Sequence, residues 1–291
     1  MRLFFTLTIV TLSVFFTSCT HSPEKNVEVL VSIPPYLYFI QELTEGELST
    51  ISLVPPEANP HLYEPSPKQV ALAKSAKVWI RLNESFEYKI AQSLTQQNKK
   101  LITLNLAEEL ILPEVSNEGC CKHHKHHNPE NVDLHFWLSL RLAQQQADLI
   151  AKTLLKAYPE RKKQLEKTLP LLKKKLEETD KIITKELEPF SGDTILVSHA
   201  AFGYFCYDYN LKQLAIESEG KDPLPQKISS IIDIAHSTKI QSILTQAQYN
   251  NKGAELIAAN LHMQTHLVDP YSANYLENLL HIAKAIAEPS K

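Results

Sequence analysis

The sequence predicts an α/β chain of two lobes, each a mainly parallel sheet flanked by helices, with a long helix between them. Short β-branched runs alternate with stretches that are apolar at helical spacing, first from Val27 to Leu106 and again from Thr194 to Ala287, and such alternation favours parallel sheets. Between these regions, a stretch rich in Leu, Lys, Glu, Gln and Ala carries apolar residues every three or four positions, the period of an amphipathic helix. The chain has 291 residues, 43% hydrophobic and 22% charged. That is enough for two ordinary domains, and it resembles neither a disordered chain nor a multi-span membrane protein.

The first residues read as an export signal. Arg2 precedes the apolar run LFFTLTIVTLSVFF and then the small residues Thr17-Ser18-Cys19. A spanning helix needs about 20 apolar residues, and this run is shorter and ends in a polar segment. Residues 1–18 are therefore expected to be a signal peptide. The Cys after small residues resembles a bacterial lipobox, which makes Cys19 the acylated mature N-terminus and 19–26 a lipid-anchored linker. An uncleaved anchor and a plain secretory signal are the alternatives. In each case the chain is exported.

Folding is expected to begin at VEVLVSI, a buried strand stopped by Pro34-Pro35. YLYFIQELT then reads as a helix, ISLVPP as a strand, PSPKQVALAKSA as a helix with Pro near its start, and KVWIRL and LITLNL as further strands. These elements build an N-terminal lobe over 27–157. Inside it, EVSNEGCCKHHKHHNPENV has Gly, Pro and His but no apolar period, so 118–128 is expected to be an exposed loop. From Leu138 to Leu187 two helices fit, the second opened by Pro159 and interrupted by Pro170, which makes 158–188 a linking helix. TILVSHAAFGYF, KQLAIES, SSIIDIAHS, QSILTQ, AELIAANL and THLVDPY repeat the strand-helix theme, and with a last helix from Tyr275 to Ala287 they form a C-terminal lobe over 189–291.

Composition excludes several functions. A formal charge of −3, with no basic stripe, offers no field for nucleic acid. Six Gly in the whole chain, none in a Gly-rich turn after a strand, provide no phosphate cradle. What stands out is a set of metal-ligating residues at strand ends or in the loops that follow, where open α/β sheets place ligands. They are His61 in NPHLYEPSP, His135 in DLHFWLS, His199 in VSHAAFGYF and Asp269 in LVDPY. Three imidazoles and a carboxylate make a four-coordinate, nitrogen-rich set suited to Zn²⁺. His262 and His266 are four apart, but the second enters a strand. His236 and His281 read as surface or packing residues, and Cys206 as a buried thiol.

NPHLYEPSP, DLHFWLS, SHAAFGYF and LVDPY together resemble the metal-binding receptors of bacterial ABC importers, the zinc- and manganese-specific solute-binding proteins. The resemblance spans nearly the whole mature chain. It implies two α/β lobes on a rigid backbone helix with metal in the cleft, His61 and His135 coming from the first lobe and His199 and Asp269 from the second. Two positions depart from the pattern: Asn59-Pro60 before His61, and Leu134 where the family has Pro. The tract of Cys120, Cys121, His123, His124, His126 and His127 resembles the His-rich loop of the zinc receptors, a secondary scavenging site. The function implied is capture of Zn²⁺, with Mn²⁺ or Fe²⁺ as alternatives, and delivery to a membrane permease and its ATPase. The protein would be a monomer held at the membrane by Cys19 in the periplasm, and not an enzyme. A secreted zinc hydrolase is the rival reading, but HExxH is missing and Glu64 is the best available base. An adhesin or passive zinc buffer is the third.

Overall fold

A computed structural model describes residues 26–115, 132–217 and 223–288. Cys19, His21, Cys120, Cys121 and the four loop histidines His123, His124, His126 and His127 lie outside the described residues. Among the described residues no helix is long and apolar enough to cross a membrane.

The first lobe is a four-stranded sheet of β1 (Val29–Val31), β2 (Thr50–Ser52), β3 (Val78–Arg81) and β4 (Ile102–Asn105), all parallel, in the order β2-β1-β3-β4. Central β1 is buried on both faces, which is why it reads as a continuous apolar run rather than an alternating one. Helix α1 (Pro35–Thr44) opens on a proline and ends where Glu45 takes a left-handed conformation. Helix α2 (Pro67–Ala73) opens with a capping box: Ser66 accepts from the Gln69 amide and the Gln69 side chain accepts from Ser66, so two end donors are satisfied reciprocally. Helix α3 (Ser85–Gln97), not anticipated in the sequence, buries Phe86, Ile90 and Leu94 and is followed after β4 by the single turn α4 (Leu106–Glu109).

Two helices then form the spine. Helix α5 (Leu140–Ala157) is capped by Ser139, and after a 3-10 turn at Pro159–Arg161 helix α6 (Lys162–Leu187) runs 26 residues, about 39 Å at 1.5 Å per residue. Leu165, Thr168, Leu172, Leu176, Thr179, Ile183 and Leu187 bury one stripe of it. Helix α6 packs against α5, α1 and the last helix of the chain. Pro170 sits inside α6 at an exposed position.

The second lobe repeats the architecture. Strands β5 (Thr194–Val197), β6 (Lys212–Ala215), β7 (Ile240–Gln246) and β8 (Thr265–Val268) form a parallel sheet in the order β6-β5-β7-β8. Around it lie α7 (Gly203–Asp208), α8 (Pro225–Ser237), α9 (Lys252–Leu261) and α10 (Tyr275–Ala287). The main core crosses from lobe to lobe: Leu30, Phe39, Trp137 and Leu172 belong to one buried cluster with Phe202, Phe205, Tyr271 and Tyr275. A smaller, separate cluster of Leu196, Leu214, Ile216, Ile231, Ile243, Ala254, Ile257 and Ala258 lies within the second lobe.

Candidate metal centre

Each of the three expected histidines is set by a short local device. After β2 the chain makes a 3-10 turn at Pro60–Leu62, capped by Asn59, whose Oδ1 accepts from the His61 amide at 3.0 Å. His135 sits immediately before a second such turn, Phe136–Leu138. Asp133 Oδ1 accepts from its amide at 2.9 Å and meets its Nδ1 at 2.8 Å. His199 follows β5 by two residues, and its amide donates to Gln246 Oε1 at the end of β7 over 2.6 Å.

These three side chains converge. One nitrogen from each lies within 4.8 Å of the other two, and among the described residues this is the group of His, Cys, Asp and Glu able to hold an ion. Nε2 of His61 and Nε2 of His199 are 3.1 Å apart, and the ring centroids stand 5.0 to 5.5 Å from one another. His135 is buried, and the His61 side chain keeps 29% of its surface exposed. The centre is thus enclosed on the His135 side and open beside His61.

Every imidazole has a carboxylate on its Nδ1. Glu84, just past β3, stands 3.4 Å from His61; Asp133 is on His135; and Glu217, just past β6, is in direct contact with His199. A carboxylate at Nδ1 fixes the proton there and leaves the Nε2 lone pair facing the centre, the orientation a metal requires. Sequence reasoning passed over these acids as ligand supports, although Glu84 and Glu217 stand at strand ends and Asp133 is two residues before His135. Their positions relative to the sheets were the available signal.

The electrostatics follow. Burial pushes the His199 imidazole well below the ordinary histidine range, and the neighbouring His135 and His61 push it the same way. It is therefore neutral and ready to donate its lone pair. Burial also lowers His61, but the hydrogen bond and charge of Glu84, with Glu217 and Asp133 further off, outweigh it and the net shift is upward. Burial raises Glu84, and this too is outweighed, by His61 first and then His135, so its net shift is downward and it stays ionised. Carboxylates ranged around imidazoles in a partly desolvated cleft give a negative potential that favours a cation.

Two tyrosines complete the wall. The Tyr271 hydroxyl is 3.1 Å from His135 Nε2, and the Tyr249 ring stacks on His199 with centroids 4.4 Å apart and 13° between planes. Asp269, expected beside the histidines, is not in the converging group. Its Oδ1 accepts from the Tyr271 amide at 2.9 Å and from Gln248 Nε2 at 2.6 Å. It caps the turn that carries Tyr271.

Other expectations also shift. Among the described residues the strand that precedes His135 in the chain is β4, with α4 between them, and the neighbours of His135 bond chiefly to the second lobe. Tyr204 donates to the Asp133 carbonyl, Trp137 Nε1 to the Pro270 carbonyl, Tyr275 to the Trp137 carbonyl and Ser139 to Asp208. Glu64, the base of the hydrolase reading, is exposed and paired with Lys89. His236 lies exposed in the last turn of α8, His262 takes a left-handed conformation at the end of α9, His266 is in β8 facing Glu288, and Cys206 is a buried free thiol.

The chain is similar to known proteins over most of its length. Residues 29–289 match the family described as "ZnuA: Zinc-uptake complex component A periplasmic". A "Putative metal-binding protein" of Chlamydia muridarum is 27% identical over 90% of this chain and 91% of its own length. The high-affinity zinc uptake system protein ZnuA of Yersinia pestis is 26% identical over 83% and 82%. Among solved structures, a crystal structure of ZnuA superposes with a TM-score of 0.81 at 30% identity, covering 91% of this chain and 99% of the other. The chain therefore belongs to the ZnuA family of periplasmic zinc-uptake components, solute-binding receptors of ABC importers and not enzymes.

Proposed function

We propose that this protein captures Zn²⁺ with His61, His135 and His199 in the cleft between its lobes and delivers it to the permease of an ABC importer, whose ATPase drives uptake. The observation that carries the reading is the convergence of three imidazoles, each with a carboxylate on Nδ1. Such a set presents three imidazole nitrogens to one point, and nitrogen-rich coordination suits Zn²⁺ better than Mn²⁺, which prefers oxygen. Asp269 serves this site by holding the Tyr271 turn, its engagement with Gln248 and the Tyr271 amide being the support for that role.

The same reading extends to parts of the chain beyond the cleft. Residues 1–18 direct export, Cys19 carries a lipid that holds a monomeric receptor near its importer, and the lobes divide at 27–157 and 189–291 around the linking helix 158–188. His123, His124, His126 and His127 gather zinc weakly for the centre, since they precede the segment of Asp133 and His135 in the sequence.

The deciding experiment is elemental analysis of the chain purified without a histidine tag, followed by competition between Zn²⁺ and Mn²⁺ against a chelator of known affinity. Zinc bound at one tight site and displaced poorly by manganese is the expected result. Manganese winning at equal free concentrations overturns the assignment of cargo. In the same assay Asp269→Ala retains the tight site; a loss as large as that of His199→Ala would put its carboxylate on the metal.

A further inference from the structure

The three Nε2 atoms of the centre do not keep the same company. Those of His61 and His199 face each other at 3.1 Å, whereas that of His135 has the Tyr271 hydroxyl at 3.1 Å. Asp133 Oδ1 sits 2.8 Å from His135 Nδ1 and, as a carboxylate oxygen, only accepts. The proton of the neutral ring is therefore on Nδ1, and Nε2 carries the lone pair. Burial raises the Tyr271 phenol well above its ordinary range, so it keeps its proton. Its hydroxyl donates to the same lone pair that a metal takes, and one lone pair serves one partner at a time.

Tyr271 cannot simply withdraw. It is buried, its ring centroid lies 5.2 Å from that of Trp137, and its amide donates to Asp269 Oδ1 at 2.9 Å. The carbonyl just before it, that of Pro270, accepts from Trp137 Nε1 at 2.8 Å. What is free to change is the direction of the O–H, which turns about the C–O bond. Turned away from His135, a buried donor needs another acceptor or it costs the full desolvation of the group. The Tyr249 hydroxyl offers one. Its oxygen is buried, has no partner in hydrogen-bonding geometry, and lies within interaction range of Tyr271. The Tyr249 ring is itself fixed, stacked on His199 with centroids 4.4 Å apart. An unpaired buried hydroxyl is uncommon, and this one stands beside the donor that zinc has to displace.

We propose that Tyr271 competes with zinc for His135, and that Tyr249 is the acceptor to which its hydroxyl turns when the metal binds. Tyr271 thereby keeps the His135 ring aimed while no ion is held, and it lowers the affinity of the centre so that the ion can be given up. Both tyrosines are positioning residues and neither is a ligand. This rests on the reading that the three imidazoles bind zinc.

The test is a cycle of phenylalanine variants of the full chain, titrated with zinc against a competing chelator; each variant keeps its ring and the packing around it. Tyr271→Phe is expected to bind about fivefold more tightly than the parent, the equivalent of one hydrogen bond at about 1 kcal/mol. Tyr249→Phe, which strands the displaced hydroxyl, binds about fivefold more weakly. The double variant binds like Tyr271→Phe, because no hydroxyl is left to displace, and such non-additivity marks two residues that act as one unit. Nitrogen NMR of the metal-free chain gives a second readout: Tyr271→Phe shifts the His135 Nε2 resonance and leaves Nδ1 protonated. Weaker or unchanged binding by Tyr271→Phe overturns the proposal, weaker binding making the hydroxyl a support of the bound metal. A Tyr249→Phe defect that persists in the double variant overturns it too, since Tyr249 would then act through its stacking on His199. If His135→Ala binds zinc like the parent, the earlier reading fails and this one with it; if His135→Ala loses zinc and the cycle shows either overturning pattern, this one fails alone.

Discussion

The two lobes share a strand order yet contribute to the centre from different strands. In the first lobe, His61 follows β2 and its carboxylate Glu84 follows β3; in the second, His199 follows β5 and its carboxylate Glu217 follows β6. By order in the sheet, β2 corresponds to β6 and β1 to β5. The equivalent of the strand that His199 follows thus carries none of the three histidines in the first lobe. A parallel sheet provides a row of carboxyl-terminal strand ends facing one crevice, and which ends carry the chemistry is decided by side chains and loop length. Loop length matters here: His199 is two residues past its strand and rigidly aimed, whereas His61 is nine past Ser52 on a turn of its own.

The largest expected effect tests whether the two lobes are both required. His199→Ala and His61→Ala should each weaken zinc binding by more than about a hundredfold, beyond the roughly 10–100-fold that loss of a supporting group costs. His236→Ala, on the exposed face of α8, should leave affinity unchanged. Competition titration reads all three. If either cleft variant binds like the parent, the centre is not shared between lobes.

A smaller effect ranks the supports. Glu217 is in direct contact with a His199 side chain only 12% exposed, whereas Glu84 stands 3.4 Å from a His61 side chain 29% exposed. A charge interaction is stronger where water is excluded, so Glu217→Gln should fall near the hundredfold end of that range and Glu84→Gln near the tenfold end. The reverse ranking would mean that the more solvated half of the site holds the metal more firmly.

Much of the fold, and the three histidines that converge in the candidate centre, are legible in the amino-acid sequence for identifiable reasons. Valine- and isoleucine-rich runs ended by Pro or polar turns mark β1, β3, β5 and β7, and the three- and four-residue spacing of leucines marks α5 and α6. His61, His135 and His199 stand out because their residue type and their motifs coincide. Helix α3 escapes notice because its apolar stripe is thin: Phe86, Ile90 and Leu94 are separated by polar residues, and Glu87 is buried with them, accepting from Arg81 and the amides of Leu82 and Asn83. The partnership of Glu84 with His61 and of Glu217 with His199 depends on neighbouring strands in three dimensions, which no local pattern records. The placing of His135 in the first lobe follows chain order, while its hydrogen bonds follow contact with the second. Asp269 draws notice because it follows a strand; an Asp two residues before an amide also commonly caps its own turn, and its Oδ1 does accept from the Tyr271 amide.

The smallest effect concerns the helices that follow the corresponding strands β2 and β6. Both open on a proline preceded by an extended residue: Ser66 at φ −67°, ψ 155° before α2, and Leu224 at φ −66°, ψ 152° before α8. The backbones match, so each position can act as an N-cap, yet only Ser66 has an oxygen to offer, and it accepts from the Gln69 amide at 3.3 Å. Leu224 makes no side-chain cap and is 72% exposed, so little burial is lost on replacing it. Leu224→Ser should therefore stabilise the protein by about 1 kcal/mol, the usual contribution of a serine cap, and Ser66→Ala should cost about as much in the other lobe. Chemical unfolding of the metal-free chain measures both, with zinc affinity unchanged because neither side chain touches the centre. Should Leu224→Ser destabilise instead, that leucine is covered in the whole protein by a contact that outweighs a cap, and the two helix starts would be equivalent in backbone but not in surroundings.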